Sequence, residues 1–436
     1  MSNKRPPRTS KIVVGAVIVL VAALVGYSNW RDARRPRDRF TVAPPIGMPG
    51  APRTSREDLA KRIRDMQARL AARPDDTGAA VLLADALLRQ TRVNGNAGLA
   101  RKAEQVLQGA LKADPGDYEA LRMLATVYLS QHRFRDAIGI AERTRALRPH
   151  DAWNFGVIGD ANIELGEYDQ AFDAFDTMVK MRPSAAAYAR VAYARELQGN
   201  LEGALQAMQM AAEATSAHDP ESQAWHYAQV GDLYLQMGRL DESRQEFEHA
   251  ELVFPGHPFA TAGRARVLVA RGEYRAALDV YRRQLEKTPT PDLAARTGDL
   301  YQALGDHMEA ERHYALAETG WTFDTPEPTQ LARFLVERGR KPDEALKTAE
   351  RAAADRHDIF TEDTLAWAYF HVNRIRDAAE ASARALRTGT RDRQVLYHAA
   401  AIQHALGKDE EARQLLERAL SGNPRFDVVT ASAAAA

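Results

Sequence analysis

The stretch NFGVIGDANIELGEYDQAFDAFDTMVKMRP, residues 154–183, decides the fold, because its landmarks return along the whole chain. Its central phrase, LGEYDQAF (165–172), is answered by QGNLEGAL at 198, MGRLDESR at 237, RGEYRAAL at 271, LGDHMEAE at 304 and LGKDEEAR at 406. The glycines of the phrase, Gly166, Gly199, Gly238, Gly272, Gly305, Gly339 and Gly407, are 33, 39, 34, 33, 34 and 68 residues apart. Asn373 divides the last interval in two, and His132 stands 34 residues before Gly166. Three further series keep the same period. Ala137, Ala171, Ala204, Ser243, Ala277, Ala310, Ala345, Ala378 and Ala412 follow the glycines. Gly159, Ala192, Gly231, Ala265, Gly298, Ala332, Ala366 and Ala400 precede them by seven. Pro115, Pro149, Pro183, Pro255, Pro289 and Pro424 close the units.

Each series has a physical reading. Between the glycines, apolar residues recur at helical spacing, as in Val230, Leu233 and Tyr234. Each unit is therefore expected to hold two helices. Glycine supplies the positive φ that ends the first helix in a tight turn. An acidic residue after the turn favours the next helix start through its dipole. The small residues let helix backbones approach, and proline ends the second helix. A lone helical pair cannot bury its apolar face, so neighbours must stack.

These units resemble the tetratricopeptide repeat. In YAQVGDLYLQMGRLDESRQEFEHAELVFP (227–255) the family pattern falls on Tyr227, Val230, Gly231, Tyr234, Gly238, Ser243 in place of Ala, Phe247, Ala250 and Pro255. The resemblance implies an all-α, right-handed α-solenoid of about ten helical hairpins. Ten units are expected over residues 77–426, beginning near 77, 118, 152, 185, 224, 258, 291, 325, 359 and 393. Leu59, Ile63, Met66 and Leu70 form one stripe, which predicts a capping helix within 56–76. Residues 427–436 read as an Ala-rich tail, leaving Leu415, Leu416 and Leu420 part-covered. That end is expected to contact a partner or a second copy.

The amino-terminal part is separate. After a basic tail (1–11), residues 12–30 carry no charge between Lys11 and Arg31. Nineteen helical residues span about 28 Å, close to a hydrocarbon core of about 30 Å. This predicts a single transmembrane signal anchor. Residues 31–55, rich in Arg and Pro, predict a disordered linker. The basic residues flanking the span nearly balance; the first group favours repeats outside the cytoplasm, extracytoplasmic or periplasmic in a bacterial envelope, with the cytoplasmic orientation as the alternative.

Composition narrows the chemistry. Lys+Arg and Asp+Glu are 59 each, so no basic stripe argues for nucleic acid. The absence of cysteine removes thiolate metal sites, disulfides and thiol nucleophiles. No phosphate-binding loop, nucleophile elbow or zinc-protease motif occurs, so no catalytic residue, cofactor or metal is expected. His307, Glu309, Glu311 and His313 form the nearest metal-like string, but the histidines are six apart and do not converge on a helix.

In the family, the first helix of each pair lines a concave groove. Transferred to this chain, that implies a partner-binding face from Trp153, Asp160, Tyr193, Trp225, Asp232, Phe259, Arg266, Arg296, Asp299, Trp367, His371, Tyr397, His398 and His404. Aromatic and Arg residues are the anchor types of interfaces. The carboxylate clamp of some family members is missing, since its positions carry Arg122, Thr126, Gly156 and Asp160. The expectation is a membrane-tethered, non-catalytic protein-interaction scaffold. A glycan-binding envelope factor and a cytoplasmic adaptor are the alternatives.

Overall fold

The computed structural model describes residues 56–429, apart from 95, 97 and 325–327. The expected basic tail, anchor and linker lie outside these residues. Among the described residues no strand occurs, and no helix is long and apolar enough to cross a membrane.

A lone helix, α1 (Arg56–Ala72), precedes ten helical pairs. The first three are α2/α3 (Thr77–Asn94, Gly98–Ala113), α4/α5 (Tyr118–Ser130, Phe134–Leu147) and α6/α7 (Ala152–Leu165, Tyr168–Met181). Then come α8/α9 (Ala185–Leu197, Leu201–Ala214), α10/α11 (Pro220–Gln236, Leu240–Val253) and α12/α13 (Pro258–Ala270, Tyr274–Lys287). The seventh pair, α14/α15 (Pro291–Ala303, His307–Thr319), ends in one π-helical turn, Gly320–Asp324. The last three are α16/α17 (Pro328–Glu337, Pro342–Asp355), α18/α19 (Ile359–His371, Ile375–Ala385) and α20/α21 (Arg393–Ala405, Asp409–Leu420).

The two helices of a pair start differently. First helices are mostly capped by a side chain: Asp117 accepts from the Ala120 amide at 2.7 Å, Asp151 from Trp153 at 2.9 Å, and Asp358 from Phe360 at 3.0 Å. Most second helices begin without a side-chain cap, as at Arg133, Glu167, Arg239, Glu273 and Arg374. There the preceding turn fixes the chain. Gly166 has φ +79°, its amide donates to Ile163 O at 3.0 Å, and that of Glu167 donates to Asn162 O at 2.8 Å. This is the Schellman arrangement, which satisfies the last helical carbonyls. His132 and Asn373 adopt φ +59° in the same arrangement, so the two non-glycine members of the series take the left-handed conformation as well.

Packing follows the small residues. Ala137, Ala171, Ala204, Ala277 and Ala310 are fully buried where paired helices touch. Ser243, in the same place, is equally buried and donates its hydroxyl to Gly231 O at 2.7 Å, so its polarity is satisfied. The glycines seven residues before the turns seat aromatic rings. A Cβ on Gly159 would stand 2.5 Å from Cδ1 of Phe175, and one on Gly298 would stand 2.6 Å from Cε1 of Tyr314. Phe175 and Phe247 are consequently buried, and truncating such a ring costs roughly 3–5 kcal/mol.

Contacts also join pairs far apart in sequence. Arg92 on α2 pairs with Glu221 at 2.7 Å, and Arg89 donates to Asp219 at 3.3 Å. Leu59, Ala86 and Val93 share one apolar cluster with Ala224, Ala228 and Phe247. The amide of Ile359 donates to the Tyr168 hydroxyl at 2.8 Å, and Arg356 pairs with Glu164. Arg387 donates to the Gly166 carbonyl at 3.3 Å and also to that of His357. Arg393 donates to Gln236 O at 3.1 Å. The turn edges of the third, fourth and fifth pairs thus meet the chain five to six pairs further on, at His357, Gly389 and Gly422. Successive turns of the superhelix touch edge to edge.

The segment after α21 does not trail away. Asn423 is 4% exposed and Val428 is 8% exposed, and Val428 packs with Ala265, Val269, Leu293 and Leu300 on the first helices of the sixth and seventh pairs. The tail expected from residue 427 therefore begins later than the sequence suggests, because Val428 finds an apolar seat inside the superhelix. Leu415, Leu416 and Leu420 remain partly exposed.

Candidate functional site

A channel of about 340 Å³ lies on the inner wall of the superhelix. First helices supply most of its lining: Glu196 from α8, Gln229, Asp232 and Gln236 from α10, Arg266 from α12, Arg296 and Asp299 from α14, Gln330, Arg333 and Glu337 from α16, and Arg393 and Gln394 from α20. Phe426 and Asp427 of the returning segment complete it.

One motif organises this wall. An aspartate follows each helix-packing glycine at Gly159-Asp160, Gly231-Asp232 and Gly298-Asp299. Each reaches an arginine of the next pair. Asp160 accepts from Arg190 at 2.9 and 2.5 Å, and Asp232 accepts from Arg266 at 2.5 Å. Asp299 accepts from Arg338 at 2.8 and 2.6 Å, and the Tyr314 hydroxyl donates to it at 3.0 Å. The glycine admits the ring behind the helix, and the aspartate ties its front to the neighbour. Loss of hydration in the enclosed wall raises all three carboxyls, while the guanidinium partners pull the other way.

A second network lies on α16 and α20. Arg333 donates to Glu337 at 2.5 Å and to Gln394 at 2.7 Å, and Gln394 donates to Glu337 at 2.7 Å. Burial works against the Glu337 carboxylate, yet Arg333 and Arg338 together hold it below its ordinary value. Glu196 is different. Burial pushes its carboxyl up to about 7; Gln236, donating at 2.7 Å, opposes the shift, and Asp232 and Asp392 add to it. The wall is therefore strongly polar but largely neutralised from within, with Gln229 and Gln330 as uncharged donors and acceptors.

Of the fourteen candidate residues, the structure brings Asp232, Arg266, Arg296 and Asp299 together in this channel. Asp160 belongs to the same row of ion pairs. Tyr193 lines an adjoining cavity of about 250 Å³, which shares Gln330 and Arg333 with the channel. The rest go elsewhere. Trp367 is 9% exposed and stacks between Phe370 at 4.6 Å and the imidazole of His398 at 4.1 Å. His398 is itself buried, with Nδ1 3.0 Å from Asp363. Tyr397 packs partly buried on the same cluster. Trp225 packs on the core of the fourth and fifth pairs, and Trp153 packs under the guanidinium of Arg122 at 4.7 Å. Phe259 is 43% exposed beside His257. His371 is exposed and meets Trp367 edge-on, and exposed His404 pairs with Asp409 at 2.7 Å. Both facing and interlocking positions of a first helix recur at the same period, and Trp367 and His398 interlock.

Residues outside those fourteen dominate the wall: Glu196, Gln330, Arg333, Glu337, Arg338 and Gln394. Arg333 and Glu337 carried a usable signal, an opposite-charge pair at i, i+4 on a first helix. His307 and His313 bind different partners, Gln302 Oε1 and the Glu309 carbonyl, each at 2.9 Å. Among the described residues no group of three His, Cys, Asp or Glu side chains is placed to hold a metal ion.

Comparison with known proteins agrees with this architecture. The tetratricopeptide repeat family profiles match residues 97–155, 157–220, 230–292 and 364–426, together more than half of the chain. Among curated proteins the chain is similar to Superkiller protein 3 of Saccharomyces cerevisiae, 23% identical over 189 residues, covering 42% of this chain and 10% of that protein. It is also similar to human Tetratricopeptide repeat protein 36, 33% identical over 114 residues, covering 26% of this chain and 57% of that protein. The chain thus spans less than two thirds of either relative. Similar solved structures include a thermophilic TPR protein of Thermus thermophilus, at 19% identity and a TM-score of 0.37, covering 48% of this chain and 99% of that one. Another is the human IFIT1 dimer with PPP-AAAA, at 13% identity and a TM-score of 0.47, covering 84% of this chain and 96% of that one.

Proposed function

The chain belongs to the tetratricopeptide repeat family, and on that premise we propose that it is a scaffold whose inner channel receives segments of other proteins. Proteins of this family mediate protein–protein interactions and are generally non-catalytic. One observation carries the reading: polar side chains from the first helices of six pairs converge on a single channel of about 340 Å³. A peptide backbone entering it would find donors and acceptors on every side, from Gln229, Gln330 and Gln394 to the paired carboxylates. The apolar run at residues 12–30 supports tethering of this scaffold to a membrane, with the repeats on the extracytoplasmic side.

Two experiments test these readings. A photocrosslinking residue at Gln330, inside the channel, is expected to capture a partner that the same residue at Leu252 does not; Leu252 is 82% exposed on a second helix. Equal capture from both positions, or none from Gln330, would sink the channel assignment. Protease added to intact cells should cut the repeats, and protection until lysis would place them on the cytoplasmic side.

A further inference from the structure

One side of the channel is formed by the chain's own returning segment. After α21 the backbone turns inward at Gly422, which lies against Gly238 of the fifth pair, 2.6 Å from where a Cβ on Gly238 would stand. Arg425 follows at the turn of the sixth pair, with its guanidinium 3.8 Å from the Cβ position of Gly272. Phe426 and Asp427 face the channel among Asp232, Arg266, Arg296 and Asp299. The Asp427 carboxylate acts electrostatically on Arg296 from there. Val428 is buried on α12 and α14, and Val429 stands with Gln302 and Tyr314 of the seventh pair. The segment therefore crosses three successive pairs and offers each a different group. No helix among the described residues covers the end of the array in its place.

We propose that residues 422–429 are an internal occupant of the channel, and that they compete there with partner segments of the same chemistry, an aromatic, an acidic and an aliphatic residue in succession. This rests on the reading of the channel as a protein-binding site. The chemistry follows from the wall: Val428 takes the apolar seat of Ala265, Val269 and Leu300, Asp427 stands near the Arg296 guanidinium, and Phe426 lines the channel beside Asp427. The tether is short, because only Ser421 separates α21 from Gly422. For such a tether the effective concentration is on the order of 1 mM, so a free segment with a Kd near ~50 µM is weakened roughly twentyfold by the occupant.

The test uses the full chain and the labelled peptide SGNPRFDVVT, which copies residues 421–430. In the Asp427→Arg/Val428→Asp variant the occupant loses its charge match and its seat. Fluorescence anisotropy should show the peptide binding this variant at least ~10-fold more tightly than the native chain, and a scrambled peptide binding neither. Equal binding to both chains overturns the inference. A variant that takes unrelated library peptides but not SGNPRFDVVT overturns the inference and leaves the scaffold reading standing. A variant that takes no peptide at all removes both. Should that variant misfold, Val428→Cys decides, since the chain has no other cysteine. Its thiol should react with a maleimide at least ~10-fold more slowly than that of Met308→Cys, at a residue 79% exposed, and SGNPRFDVVT at about 5 mM, several times the effective concentration of the tether, should abolish the protection. Equal rates for the two thiols, or protection unmoved by the peptide, overturn the inference.

Discussion

Gly166 and Gly305 occupy the same place in two repeats and differ in one respect. Both have positive φ, +79° and +85°. Around Gly305 nothing lies within 4 Å of the position a Cβ would take, whereas at Gly166 a Cβ would stand 2.7 Å from the carbonyl carbon of His357, and closer still to its oxygen. Gly305→Ala therefore carries only the left-handed backbone cost, about 1–2 kcal/mol, partly offset by the ~0.4–1 kcal/mol gained from a stiffer unfolded chain. Gly166→Ala carries the same cost and must also push the loop before α18 away. Overpacking of that kind costs roughly 1–3 kcal/mol. The shift also strains the bonds from Arg387 to the carbonyls of Gly166 and His357. Gly166→Ala should thus exceed Gly305→Ala by about 1–3 kcal/mol in urea unfolding followed by far-ultraviolet circular dichroism. Hydrogen exchange should rise at residues 355–359 in the first variant and stay unchanged there in the second. Equal destabilisation within ~0.5 kcal/mol, with no change in exchange at 355–359, would refute the contact between successive turns.

Other perturbations probe the wall. Asp299→Ala leaves Arg338 buried without its main partner and should cost about 3–5 kcal/mol, much of it regained in Asp299→Leu/Arg338→Met; a double variant no more stable than the single one contradicts the ion-pair account. Glu196 holds its proton more tightly folded, at about 7, than at its ordinary value of 4.5. Its contribution to stability is therefore fully present below pH ~4.5 and is lost as pH rises towards ~7. Glu196→Gln should stabilise the fold by about 1–2 kcal/mol at pH 8, after discounting for partial exposure, and by nothing measurable at pH ~4; the same urea midpoint shift at both pH values would exclude this. Gly159→Ala drives a methyl into the Phe175 ring and should cost roughly 1–3 kcal/mol, which Phe175→Leu partly relieves. Failure of that relief in the double variant would place the strain elsewhere.

Periodicity made the helical pairs legible because it reports on neighbours. Gly166, Asn373 and His132 sit at one register and share one backbone conformation, so a turn series was readable even where glycine was replaced. The Gly-Asp sequence at 159, 231 and 298 was readable in the same way. Contacts four to six pairs apart were not. They depend on a small rotation accumulated per repeat, which no local pattern encodes. Arg356, Arg387 and Arg393 consequently look like ordinary surface residues in the sequence. Trp367 misled for another reason: a ring on a first helix has the same period whether it faces the channel or locks into the next helix, and here it lies between Phe370 and His398. Val428 looked like part of an open tail because its seat is built from residues more than a hundred positions away.

The edge contacts between turns change how such an array comes apart. A repeat array coupled only to nearest neighbours frays from its ends like a zipper, in many small steps. Here the first pair is joined to the fifth by Arg89 and Arg92, and the third to the ninth by Tyr168 and Arg356. Opening one pair exposes the edges of two layers at once, so the molecule behaves less like a zipper than like a riveted spring. Under tension it should yield abruptly, layer by layer, rather than lengthen smoothly one hairpin at a time.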